Sequence, residues 1–294
     1  MRFGVVILPQ YDWPEAARRW RAAEEYGFDH AWTYDHLSWR GLAGERWHAT
    51  VPTLTAAATV TSRIRLGTFV ASPNFRHPVP FAKDIATVDQ VAGGRMLLGL
   101  GSGGTGFDAF VLGLPELTPR ERHTRFVEFV EALDALLRFE PAGSGGVSFE
   151  GSWYTASSAR MVGEPSQHPR MPLHLAANGP KAVALAARLG DGWVTTSRDD
   201  DLEASWRAAA ENLRRLDDAC EAIGRDPSTM ARTLSLDSEA FHSLSSVAAF
   251  EEAVGRAAEL GFTDVVSHWP REHGLYAGDE TVLDEVASRL PALR

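Results

Sequence analysis

The chain has 294 residues, of which 44% are hydrophobic and 23% charged, with a formal net charge of −10. That composition is ordinary for a globular protein with a real core and excludes disorder as the main state. The acidic balance argues against nucleic acid or an anionic membrane as a general partner, while leaving room for a local anion pocket. The single cysteine, Cys220, excludes an intrachain disulfide and a Cys-based metal site. The apolar run Phe3–Leu8 is stopped by Pro9, too short for a secretory signal, and the longest uncharged stretch, Trp47–Ser62, contains Pro52 and falls short of a membrane span. A reducing, cytoplasmic compartment is the default expectation.

In chain order, short apolar or β-branched runs predict eight strands: Phe3–Leu8, His30–Tyr34, Ile64–Val70, Met96–Leu100, Leu173–Ala177, Trp193–Thr196, Thr233–Leu236 and Asp264–His268. Between them run helical stripes over Pro14–Gly27, His77–Ala92, Arg122–Arg138, Asp201–Gly224, Val247–Gly261 and Val282–Leu290, with a further helix starting near Pro180. Eight strand–helix units of about 37 residues read as one (β/α)₈ TIM barrel over 1–294, with a doubly wound open sheet as the alternative. Short runs apolar on both faces suit a parallel sheet covered on both sides. Residues 140–172 break the alternation with Gly, Ser and Pro. They read as a segment inserted between the fourth helix and fifth strand, a lid or an edge of the site.

A barrel of this kind carries its chemistry at the C-terminal ends of the strands. The second strand ends on Asp35-His36. A histidine there suits proton transfer near neutral pH, and a buried structural pair is the alternative reading. After the fourth strand, Gly99-Leu-Gly-Ser-Gly-Gly104 matches G-x-G-x-x-G. On a fourth strand, before the weak helix start Thr105-Gly106-Phe107, the match reads as close backbone approach beside a planar cofactor rather than as a dinucleotide fingerprint. Asn178-Gly179-Pro180-Lys181 precedes a helix, and its N–H groups offer an anion site or ordinary capping. Thr195, Thr196 and Ser197 can add hydroxyl donors. The histidines are scattered without a metal-ligand spacing, and no G-x-S-x-G elbow supports a serine hydrolase.

Several longer stretches carry a resemblance. Arg65-Leu-Gly-Thr-Phe-Val-Ala-Ser-Pro-Asn-Phe-Arg-His-Pro78, Gly93-Gly-Arg-Met-Leu-Leu-Gly-Leu-Gly101, Leu175-Ala-Ala-Asn-Gly-Pro-Lys-Ala182 and Gly190-Asp-Gly-Trp193 resemble the bacterial luciferase-like superfamily. The opening Arg-Phe-Gly, Tyr34-Asp-His36 and the closing Leu260-Gly-Phe-Thr-Asp-Val-Val fit it too, in order along nearly the whole chain. The chain looks most like the branch that uses the deazaflavin coenzyme F420, a hydride carrier.

The resemblance implies an F420-dependent oxidoreductase acting on a small organic substrate, usually a homodimer. His36 is the implied acid/base, oriented by Asp35. Phe69-Val70 matches the place of a non-proline cis peptide beneath the cofactor ring. The cofactor side comprises Phe69, Val70, Gly101, Gly103, Ala177, Asn178, Gly179, Thr196 and Ser197; Trp39 and Asp108 fall to the substrate side. Where the sugar-phosphate dehydrogenases of this branch carry an acid after the glycine loop, this chain has Gly104, and the nearest carboxylate is Asp108. An FMN-dependent monooxygenase shares the scaffold and stands as the alternative. A non-catalytic flavin-binding barrel comes next.

Overall fold

The structure, a computed structural model, describes residues 1–104, 107–140, 145–196, 201–238 and 241–294. Eight parallel strands close into a barrel: β1 (Arg2–Val6), β2 (His30–Thr33), β3 (Arg65–Thr68), β4 (Met96–Leu100), β7 (Leu173–Ala176), β8 (Gly192–Thr196), β9 (Ala231–Ser235) and β10 (Asp264–His268). Each pairs with its neighbour in that order, and β10 returns to β1 with Arg2 opposite Asp264 and Val6 opposite His268. All eight predicted strands are present, most of them a residue or two shorter at the C-terminal end, where the chain leaves the ladder to form the site.

The covering helices are α1 (Trp13–Glu25), α2 (Thr50–Val60), α3 (Pro78–Val91), the short α4 (Phe107–Val111), α5 (Pro119–Leu137), α6 (Pro180–Leu189), α7 (Leu202–Glu221), α8 (Val247–Leu260) and α9 (Glu280–Leu293). Their buried faces follow the helical period: α7 turns Trp206, Ala209, Leu213, Leu216 and Cys220 onto the strands. α2 is absent from the sequence reading because TVPTLTAAATV mixes β-branched residues with no polar face. Thr53, Thr55, Thr59 and Thr61 donate their hydroxyls to carbonyls three or four residues back, which hides these polar groups on a helix that the pattern conceals.

Between α5 and β7 the described chain forms an antiparallel hairpin, β5 (Val147–Glu150) with β6 (Thr155–Ala159), bulged between Val147 and Phe149. Glu128 of α5 accepts the backbone N–H groups of Ser152, Trp153 and Tyr154, and Asp89 of α3 accepts from the backbone and side chain of Gln167. The segment is therefore fastened to the outside of α3 and α5. None of its described residues lines the large cavity at the barrel mouth. No described helix is long and apolar enough to cross a membrane.

The barrel interior is polar at its lower end and apolar above. Trp32 Nε1 donates to His30 Nδ1 at 2.6 Å, leaving His30 Nε2 to donate to Asp264 at 3.1 Å, and Arg2 grips the same carboxylate through two 2.7 Å bonds. Above them Val6, Leu8, Trp32, Phe69, Leu97, Val194 and Val266 pack into one buried cluster. This cluster is the floor on which the upper cavity rests.

Candidate active site

A cavity of about 720 Å³ opens at the C-terminal ends of the strands. His36, Trp39, Phe69, Val70, Gly101, Gly103, Asp108, Ala177, Asn178, Gly179 and Thr196 all line it. Ser197, expected among the cofactor hydroxyls, and Thr105-Gly106, read as a weak helix start, lie outside the described residues.

The wall from β2 carries a paired histidine. His36 is partly open, and its Nδ1 lies 2.7 Å from Oδ2 of Asp108 on α4. The other oxygen of Asp108 accepts the backbone N–H of Leu37 at 2.7 Å. Asp108 is 1% exposed, so its charge is compensated almost entirely by these two donors. Asp108 lines the cavity and holds His36 and Leu37 with its two oxygens. One expectation is corrected. Asp35 does not orient His36: its carboxylate is turned into a bidentate pair with Arg76, at 2.6 and 3.2 Å. Adjacent residues in extended chain point to opposite sides, so Asp35 goes to the barrel wall and His36 to the cavity. Trp39 stacks with Trp47 at 6.4 Å and meets the Tyr34 ring edge-on at 5.2 Å, while Trp47 Nε1 donates to the His36 carbonyl.

The floor comes from β3 and β4. The Phe69–Val70 peptide is cis, as the family resemblance implies. Next to it the glycine loop makes the close approach read from its sequence. A Cβ on Gly101 would stand 2.6 Å from Val70 Cγ2. One on Gly103, at φ 72°, would stand 2.3 Å from Asn74 Nδ2. Asn74 donates to the Gly103 carbonyl at 3.2 Å and is itself held by Arg125. These glycines serve contact with the β3 end, and nothing here resembles the first turn of a dinucleotide-binding unit.

On the opposite wall, Trp193 Nε1 donates to the Ala177 carbonyl, Thr195 to Asn178 Oδ1, and Asn178 Nδ2 to the Thr196 carbonyl. These bonds tie the ends of β7 and β8 together. The N-cap of α6 is Gly179, which has no side chain to cap the helix, and Ala182 of its first turn lines the cavity. No side chain caps this N-terminus among the described residues.

No site role was assigned from sequence to the wall from β9 and β10. Ser235, Asp237 and Ser238, with Leu275 and Tyr276, line the cavity there beside Tyr34. No motif marks Ser235-Leu-Asp-Ser238; the only available signal is its position at a strand end. Of the other residues at the end of β10, Trp269 donates to Glu280 and Arg271 pairs with Glu45, so both fasten the barrel rim.

The chain is thus a closed (β/α)₈ barrel with a large cavity at the C-terminal ends of its strands, lined on one wall by the His36–Asp108 pair. The chain belongs to the luciferase-like monooxygenase family, whose model matches residues 1–274. It is 41% identical over 177 residues to an F420-dependent glucose-6-phosphate dehydrogenase of Beutenbergia cavernae, covering 60% of this chain and 50% of that protein. It is 32% identical over 249 residues to an F420-dependent hydroxymycolic acid dehydrogenase of Mycobacterium tuberculosis, covering 82% and 61%. The chain thus spans half to three-fifths of the length of these curated relatives. The solved structure of an F420-dependent secondary alcohol dehydrogenase in complex with an F420-acetone adduct superposes with a TM-score of 0.82 over 100% of this chain and 99% of the other, at 18% identity. At that identity the likeness is one of fold.

Proposed function

We propose that this chain is an F420-dependent oxidoreductase that moves a hydride between the deazaflavin and a small organic alcohol or carbonyl compound. The observation that carries the reading is the His36–Asp108 pair, held at 2.7 Å on the wall of the cavity that Phe69 and Val70 also line. The residues present suit the cofactor. Phe69, Val70, Ala176 and Val194 offer an apolar surface to a flat ring. The loop at Gly101 and Gly103 leaves no space for side chains that would displace Val70 or Asn74. The uncapped first turn of α6, with Asn178, Gly179 and Thr196 beside it, suits the phosphate of the cofactor tail.

When bound, F420 supplies the carbon that accepts or returns the hydride. This chain's residues do the rest. Nδ1–H of His36 donates to Asp108, which fixes the ring and leaves Nε2 to take or give the proton that accompanies hydride transfer. Asp108 compensates the positive charge His36 carries once protonated, and its bond to Leu37 keeps the carboxylate from turning. Trp39 and Trp47 shield this corner from water. In keeping with the resemblance, the active form is proposed to be a cytoplasmic homodimer. An FMN-dependent monooxygenase is the competing reading, and it rests on the family description and on likeness of fold to monooxygenase structures, one of them in complex with FMN.

Titration of the purified protein with F420 tests the proposal. Saturable binding, with F420 reduction on adding an alcohol and no oxygen uptake, is the expected result. Binding without turnover of any alcohol or carbonyl compound would leave only a flavin-binding barrel.

A further inference from the structure

Behind the glycine loop sits a buried cation without a counter-charge. Arg125, in the second turn of α5, is 8% exposed. One of its terminal nitrogens donates to Asn74 Oδ1 at 2.5 Å, and the Trp153 ring centroid lies 5.9 Å from its Cζ. Its Nε has no partner among the described residues, and no described carboxylate pairs with it. Burial holds its pKa below the ordinary guanidinium value, and the groups that act on its charge are Tyr154 and a second cation, Arg122. Burial pushes the Tyr154 pKa up to about 12, so that side chain is a neutral phenol and compensates nothing. A guanidinium keeps its charge all the same. Buried charges in folded proteins are paired as a rule, and this one is not, although the chain carries a net charge of −10.

On the far side of Asn74 is the cavity, which Asn74, Gly103 and Gly104 line. A guanidinium has donors only, so Asn74 must turn Oδ1 toward Arg125. Its Nδ2 is left to face the loop, where it donates to the Gly103 carbonyl at 3.2 Å. The amide dipole thus carries the field of the cation into the wall with its positive end forward. The carboxylates that line the cavity stand on other walls and are engaged there, Asp108 with His36 and Leu37, and Asp237 with Ser243 and His268. Gly104 adds no side chain to the wall, and a Cβ on it would meet nothing within 4 Å.

We infer that Arg125 is a positioning residue that acts through Asn74 to set the charge specificity of the cavity: the ligand group that lies against the Asn74–Gly103–Gly104 wall is an anionic oxygen, of a carboxylate or a phosphate. That oxygen supplies the counter-charge that the fold withholds from Arg125. The first turn of α6, proposed above for the cofactor tail, belongs to another wall, so this anion is a second one. The inference concerns the same cavity and holds whether or not the flat ligand is F420.

The test compares benzoate and phenyl phosphate with benzamide, which is neutral and close in shape to benzoate, by calorimetry on the whole protein in mildly alkaline buffer. At least one anion is expected to bind roughly three- to tenfold more tightly than benzamide, the margin of a charge-assisted over a neutral hydrogen bond. The tighter of the two tells a carboxylate from a phosphate. Arg125→Met is expected to abolish the preference, and Arg125→Lys, which keeps the charge, to retain part of it. Gly104→Asp places a carboxylate in open space on the same wall and is expected to abolish the preference without disturbing the core, so it decides the matter if Arg125→Met fails to fold. Thermal unfolding reports the folding of each variant. Equal affinity for the three probes, no saturable binding of either anion, a preference that survives in folded Arg125→Met or in Gly104→Asp, or no more preference in Arg125→Lys than in Arg125→Met would each overturn the inference. F420 titration of the same samples keeps the two readings apart: loss of F420 binding with the anion preference intact sinks the oxidoreductase reading alone.

Discussion

Replacing Asp108 with asparagine keeps the shape of the side chain and removes its charge. The carboxylate accepts from two donors at 2.7 Å, His36 Nδ1 and Leu37 N, in a site where Asp108 is 1% exposed. An amide has one oxygen to give them. If the oxygen stays on Leu37, the amide NH₂ faces His36 and forces Nδ1 to become an acceptor, so that Nε2 carries the hydrogen and can no longer take a proton. If the oxygen stays on His36, the Leu37 N–H meets an N–H donor in a buried site. The first outcome removes the base, and the second leaves a buried donor unpaired, worth about 1–3 kcal/mol. Losing the charge-assisted bond costs about 1.5–3 kcal/mol in either case.

Turnover of Asp108→Asn is therefore expected to fall by about 10²–10³-fold, below the roughly 10⁴-fold seen when the aspartate behind a serine-protease histidine is changed in the same way. The melting temperature should fall by a few degrees, and F420 affinity should stay within about threefold, because the floor and the α6 turn are untouched. The assay is F420 absorbance under saturating cofactor, with an alcohol that the wild-type protein oxidises, together with thermal unfolding and a binding titration on the same samples. Turnover within threefold of wild type in a folded variant would refute the role given to the pair.

Asp35→Ala leaves the Arg76 guanidinium without its carboxylate, and the loss is expected to cost about 3 kcal/mol of stability while turnover per folded molecule is kept; denaturant melts with normalised activity check both. Gly103→Ala sets a Cβ against Asn74 at φ 72°, and it should lower stability by about 1–2 kcal/mol and weaken F420 binding, read by denaturation and titration. His174 is fully buried, and burial pushes its pKa down to about 4 from 6.5. The unfolded chain takes up that proton more readily, so this contribution to stability is complete above pH 6.5 and is lost as the pH falls toward 4, by roughly 3 kcal/mol. His174→Leu should flatten that part of the stability profile. Sedimentation at micromolar concentration should show a dimer, and a monomer would contradict the proposed assembly.

The barrel was legible because its strands are buried on both faces. Runs such as Met96–Leu100 and Leu173–Ala176 are apolar throughout, and their spacing leaves room for a helix each time. Helix boundaries were legible only where the cap was read. α5 begins at Pro119 rather than near Arg122, because Thr118 and Glu121 form a capping box around a proline in the first turn, a signal present in the sequence but outside the apolar stripe.

In the site, His36 was visible and its partner was not. Asp35 is next to it along the chain but on the other side of the backbone, whereas Asp108 is 72 residues away and reaches it only once β4 and α4 are in place. Tyr34, Asp237, His268 and Tyr276 come from the segments just after β2 and β9, the end of β10 and the loop after it. No local pattern links them, and only closure of the barrel brings them together.

Equilibrium titration of the purified protein with F420 and with FMN, side by side and in both redox states, decides whether the cavity over Phe69–Val70 takes a deazaflavin. Saturable F420 binding at low micromolar concentration or tighter, weakened in Gly103→Ala, is expected, with FMN bound at least about tenfold more weakly. Preferential binding of reduced FMN, accompanied by oxygen consumption, would show that the cavity takes FMN instead.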